Sequence, residues 1–135
     1  MPARDALGRH VDAGSPDAVD PVPDEPLPPE EAVALARELL AAGRCFSAHE
    51  VFEARWKACE PDERDLWQGL AQLCVGLTHL QRGNPVGAAT LLRRGVGHLE
   101  GSDAAYGVDL TTLRAAALAV ADEVDAGATT ATLPL

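Results

Sequence analysis

Residues 66–99 read LWQGLAQLCVGLTHLQRGNPVGAATLLRRGVGHL. Leu66, Leu70, Leu73, Leu77 and Leu80 recur three or four residues apart, the spacing that puts side chains on one face of a helix. Gly83 ends that stripe. Asn84 can cap a following helix with its side-chain oxygen, and Pro85 stands at the first helical position, where a missing N–H is harmless. Ala88, Leu91, Leu92, Gly95, Val96 and Leu99 then build a second stripe. So short a break between two stripes predicts a tight antiparallel helical hairpin, its first arm running from about Asp62 to Arg82. Gly95 and Gly97 each lower helix propensity by roughly 1 kcal/mol relative to Ala. Close approach of a neighbouring helix is the expected compensation at both.

The pattern extends in both directions. Upstream, Pro28 and Pro29 lead into Glu30 and Glu31, acids in a first turn, followed by Ala32, Val33, Ala36, Leu39 and Leu40 until Gly43. A second helix opens at Ser47-Ala48-His49-Glu50, a capping-box pattern with Phe46 and Val51 placed as a hydrophobic staple, and runs to about Cys59. Downstream, Asp109 heads a last helix carrying Leu110, Leu113, Ala117, Val120, Ala121 and Val124. The expectation is all-α: a compact antiparallel bundle of about five helices with tight hairpins over residues 30–126.

The flanks differ. Residues 1–29 hold seven of the ten prolines and six acids against two arginines, which predicts a disordered Pro-rich acidic tail. Residues 127–135 are expected to fray. Across all 135 residues the net charge is −10, a balance that argues against nucleic acid as a partner. No apolar run approaches the ~18 residues of a membrane span. Without a basic-then-apolar leader, the cytoplasm is the default compartment. Cys45, Cys59 and Cys74 form no CxxC pair and read as small core residues.

Polar residues on helical faces need partners. His49 and Glu53, one turn apart, flank the apolar face of the second helix, while Glu50 serves the cap. On the third helix Gln68, Gln72 and His79 run opposite the leucines, with Gly69 and Gly76 alongside, so that helix should be packed on both sides. If the chain reverses near Pro61, His49 lies level with Gln72 and Glu53 with Gln68. The expected result is a polar seam pairing them. A sharper reading makes His49 and Glu53 catalytic or metal-binding, since a His and a carboxylate one turn apart can chelate a divalent ion such as zinc. His79 is a third candidate ligand, about 10 Å further along the axis than Gln72.

The stretch 46–56 (FSAHEVFEARW), then Gln68-Gly69-Leu70-Ala71-Gln72, then residues 79–88 (HLQRGNPVGA) and Leu91-Leu92 together resemble the bacterial domain-of-unknown-function family 309. The likeness spans about residues 30–125. It implies a helical bundle, maps an HExxE segment onto His49, Glu50 and Glu53, and maps an RGN-x-x-GA segment onto Arg82, Gly83, Asn84, Gly87 and Ala88. It implies no established activity. The functional expectation is a small non-enzymatic module, without cofactor, that binds a protein partner or a second copy of itself. The alternative is a metal-dependent hydrolase or metal-binding protein using His49 and Glu53. Arg82, Gly83, Asn84 and Pro85 form the hairpin turn and helix cap.

Overall fold

A computed structural model describes residues 2–135. It contains five helices: α1 (Pro29–Ala41), α2 (Cys45–Ala58), α3 (Arg64–Gln81), α4 (Pro85–Leu99) and α5 (Leu110–Asp125). Each packs on the next, and the α3–α4 interface is the most extensive. Two short antiparallel hairpins accompany the bundle, β1 (Pro2–Arg4) with β2 (His10–Asp12) and β3 (Ala104–Ala105) with β4 (Val108–Asp109). The all-α expectation holds, with these small hairpins as additions.

The α3 helix is buried on both sides. Trp67, Leu70, Leu73, Cys74, Leu77 and Leu80 are core residues, and full burial of one such side chain contributes about 1.5–3 kcal/mol. Towards α2, Trp67 meets Phe52 at a ring separation of 6.0 Å, and the Arg55 guanidinium lies 5.2 Å from the Trp67 ring centre. Gln81 donates to the Gly43 carbonyl at 2.8 Å. These pairs describe antiparallel helices in the register expected from a reversal near Pro61.

Towards α4 the contact is backbone to backbone. A Cβ on Gly69 would come within 2.8 Å of Leu99 and 3.1 Å of the Gly95 carbonyl. A Cβ on Gly95 would meet Leu73 at 2.7 Å and the Gly69 carbonyl at 3.0 Å. The glycine compensation expected at Gly95 is therefore present. At Gly97 it is not, because nothing lies within 4 Å of a Cβ there.

The caps follow local chemistry. Asn84 Oδ1 accepts from the Gly87 N–H at 3.1 Å, Pro85 is the first residue of α4, and Gly83 takes φ +78° in the turn. Asp109 Oδ1 accepts from the Thr112 N–H at 3.0 Å. The capping box at Ser47 is a correction. The α2 helix begins two residues earlier, at Cys45, with Arg44 as N-cap and no side-chain cap bond. Ser47 Oγ instead accepts from Arg44 Nη2 at 3.1 Å, and Glu50 does not reach back. The α3 helix, by contrast, starts late, at Arg64 after a 3-10 turn at Pro61–Glu63.

The flanks also depart from expectation. Residues 2–29 are not a loose tail. Asp5 is buried and accepts from the N–H groups of Leu7 and Arg9 and from the Arg9 guanidinium, at 2.8–3.0 Å. These bonds close the β1–β2 turn. Val22 and Leu27 pack on the core. Residues 127–135 are also tied down: Leu133 and Leu135 pack on the core, and Arg37 donates to the Leu135 carbonyl at 2.6 Å and the Gly107 carbonyl at 2.8 Å.

Between α4 and α5, Tyr106 and Gly107 turn the β3–β4 hairpin with φ +49° and +81°, the left-handed pair that suits a two-residue hairpin loop. Tyrosine rarely adopts such a φ. Here its ring stacks on fully buried Trp67 at 5.6 Å and its hydroxyl donates to Glu63. Trp67 Nε1 donates to the same carboxylate at 2.9 Å.

Candidate functional site

The α2 helix presents its polar residues along one flank. His49 Nε2 lies 2.7 Å from Glu53 Oε2, and Lys57 Nζ lies 2.8 Å from Glu53 Oε1. The i, i+4 spacing places all three in a line on neighbouring turns. His49 Nδ1 faces the Phe46 carbonyl at 3.3 Å. Lys57, then His49, hold the Glu53 carboxyl below its ordinary range against the opposing effect of burial. Both imidazole nitrogens thus face oxygen acceptors, and both Glu53 oxygens are engaged.

The interhelical seam is a correction. His49 pairs with Glu53 on its own helix rather than with Gln72, and Glu53 pairs with His49 and Lys57 rather than with Gln68. Gln72 Oε1 is buried with no hydrogen-bond partner among the described residues. The axial register of α2 and α3 agrees with the spacing, but the side chains of His49 and Glu53 turn away from the amides of α3. Val51 and Phe52 fill the buried side of α2, leaving His49 and Glu53 on its flank, where a partner one turn away is nearer than any amide on α3.

His79 is not brought to this pair. Its Nδ1 lies 3.1 Å from Asn84 Nδ2 at the α3–α4 turn. Among the described residues no group of three or more His, Cys, Asp and Glu side chains is placed to hold a metal ion. The thiols offer no activated nucleophile: burial raises the pKa of Cys45, Cys59 and, most strongly, Cys74.

A different group of residues gathers around the start of α2. Phe46 is clasped by two arginines, with Arg4 4.8 Å and Arg82 5.7 Å from the ring centre. Gly8, at φ +79°, lies so close that a Cβ would collide with the Phe46 ring. Arg82 Nε donates to the Leu7 carbonyl at 2.8 Å, and Arg44 donates to the Asp20 carbonyl. The segment of residues 2–24 is therefore gripped largely through its backbone. Sequence reasoning missed Arg4, Arg44 and Phe46 as a site. The available signal was Phe46 itself, an aromatic in a chain that is only 4% aromatic.

Comparison with known families bears on this face. Residues 33–91 match the family model described as Domain of unknown function (DUF309). Over this stretch the chain is similar to DUF309. The match is shorter than the resemblance implied, ending inside α4. It contains α2, α3 and the Arg82–Pro85 turn, and it excludes the segment that lies across them. No curated protein and no solved structure matches the chain. Among the described residues, no helix is long and apolar enough to cross a membrane.

Proposed function

We propose that this chain is a non-enzymatic helical module whose DUF309 face, at the start of α2 and the α3–α4 turn, binds a hairpin-forming protein segment. One observation carries the reading. The chain's own residues 2–24 lie on that face and are held there by Arg44 and Arg82 through main-chain carbonyls and by the Phe46 ring. Main-chain recognition of a turn tolerates many side chains at the contacted positions. A partner segment with a glycine to set against Phe46, and carbonyls for the two arginines, would take the place of residues 2–24.

The test uses the chain lacking residues 2–24, checked for helix content by circular dichroism, and a labelled synthetic peptide of residues 2–24. Saturable binding that is abolished by Arg82→Ala, and is weak to the full chain, is the expected result. A folded truncation that does not bind the peptide overturns the reading.

The metal-dependent alternative rests on His49 and Glu53, whose donor atoms are already engaged by Phe46, Lys57 and each other. Metal analysis of protein purified without an affinity tag addresses it directly. A stoichiometric ion lost in His49→Ala would replace the non-enzymatic reading.

A further inference from the structure

Glu50 stands apart from the other half-buried acids of this chain. Asp5, Glu53 and Glu63 each accept hydrogen bonds from two or more donors. Among the described residues, Glu50 has neither a hydrogen bond nor an ion pair, although its side chain is partly buried. A half-buried carboxylate with no donor in the protein calls for an explanation, whether from solvent or from a ligand.

Its surroundings supply one. Glu50 lines a cavity of about 430 Å³ between α2 and the N-terminal segment. Arg4 and His10 of the β1–β2 hairpin, Val19, Asp20 and Pro21 of the following strap, and Ser47 of α2 share the lining. A second cavity of about 170 Å³ lies beside Glu50 under Val22 and Pro23. Arg4 and Glu50 carry opposite charges on one cavity yet form no ion pair. Arg4 spends one N–H on the Gly8 carbonyl at 2.6 Å and has others to give. The Ser47 oxygen accepts from Arg44, which leaves its O–H free to donate. Burial raises the Glu50 carboxyl, against the lowering influence of His49, Arg4 and Arg44. The volume suits a small-molecule site, and the lining sets apolar Ala3, Val19 and Pro21 beside several polar and charged groups.

We propose that this cavity binds a small zwitterion of the amino-acid class, its ammonium group on Glu50, its carboxylate on Arg4 and His10, and its hydrocarbon part against Val19 and Pro21. Two opposite charges that face one space without meeting match a ligand carrying both. This inference goes beyond the protein-binding reading, and it concerns the closed arrangement in which residues 2–24 form the outer wall.

The experiment is NMR titration of the full ¹⁵N-labelled chain with L-leucine and with 6-aminohexanoate, alongside isopentylamine and hexanoate as single-charge controls. One zwitterion should bind saturably, with shifts confined to residues around positions 3–21 and 47–50. Each single-charge control should bind about tenfold more weakly or worse, as expected for loss of a charge-assisted hydrogen bond. Glu50→Gln, which keeps the shape of the side chain, should weaken the zwitterion to a similar degree. Absence of saturable binding by both zwitterions at millimolar concentration would overturn the proposal, as would equal binding by the controls or by a folded Glu50→Gln variant. The peptide experiment on residues 2–24 is independent of either outcome.

Discussion

His49 illustrates how one residue's choice of partner changes its energetic role. A histidine matched to a buried amide on another helix would strand that amide when removed, a loss of about 1–3 kcal/mol. In the structure His49 pairs with Glu53 on its own helix, and Glu53 retains Lys57 when His49 is gone. An i, i+4 pair at a partly exposed site contributes a few tenths of a kcal/mol. His49→Ala should therefore lower the stability of the chain by less than about 1 kcal/mol, measured by chemical denaturation. A loss well above that would restore the interhelical pairing. The residue types at this site were legible from helical spacing alone. Their pairing was not, because spacing along an axis places two residues level without saying which way each side chain turns. Glu50 departs from its expected capping role for a different reason: the helix starts at Cys45, so Glu50 falls beyond the first turn and borders a cavity instead.

At the scale of the element, the α3–α4 pair was the most readable part of the chain. The leucine stripes, Gly83, Asn84 and Pro85 each had one physical reading, and the structure agrees with them. The two glycines of α4 separate a helix-propensity effect from a packing effect. Gly97→Ala meets no neighbour and should stabilise the protein by up to about 1 kcal/mol. Gly95→Ala gains the same propensity but drives a Cβ into Leu73 and the Gly69 carbonyl. A carbonyl in a helix cannot move aside as the end of a side chain can, so overpacking of about 1–3 kcal/mol should leave a net loss. Thermal melts of the two variants should shift in opposite directions. Melts shifting the same way would mean that α3 and α4 do not meet backbone to backbone.

At the scale of the whole molecule, the bundle and its N-terminal cover have different foundations. The bundle rests on apolar side chains, which hydrophobic patterning reveals. The cover rests on Asp5, on Gly8 against Phe46 and on two arginines reaching main-chain carbonyls, none of which changes the composition from that of a disordered stretch. That is why residues 2–29 read as a tail. Their dependence on Asp5 also makes them sensitive to acid. Burial opposes ionisation of Asp5, but the hydrogen bonds from Arg9 and Leu7 outweigh it and hold the carboxyl below its ordinary range. A group lowered in this way supports the ordered state fully above the ordinary carboxyl range and withdraws that support as pH falls through its lowered value. Hydrogen exchange of residues 4–12 should therefore be protected at neutral pH and lose protection on acidification before the helices do. Asp5→Ala should show the unprotected pattern already at neutral pH. Simultaneous loss of hairpin and helices would mean that the cover and bundle are one cooperative unit.

The stacked pair at the β3–β4 turn has an optical consequence. The chain has two tryptophans. Trp67 is closed off from water, with Tyr106 against its ring and Arg55 nearby, whereas Trp56 is only partly buried on α2. A soluble collisional quencher such as acrylamide will reach Trp56 and spare Trp67. The emission that survives quenching then comes from the α3 indole packed between α2 and the loop before α5, so a single cuvette reading can report whether those three parts of the chain are still together.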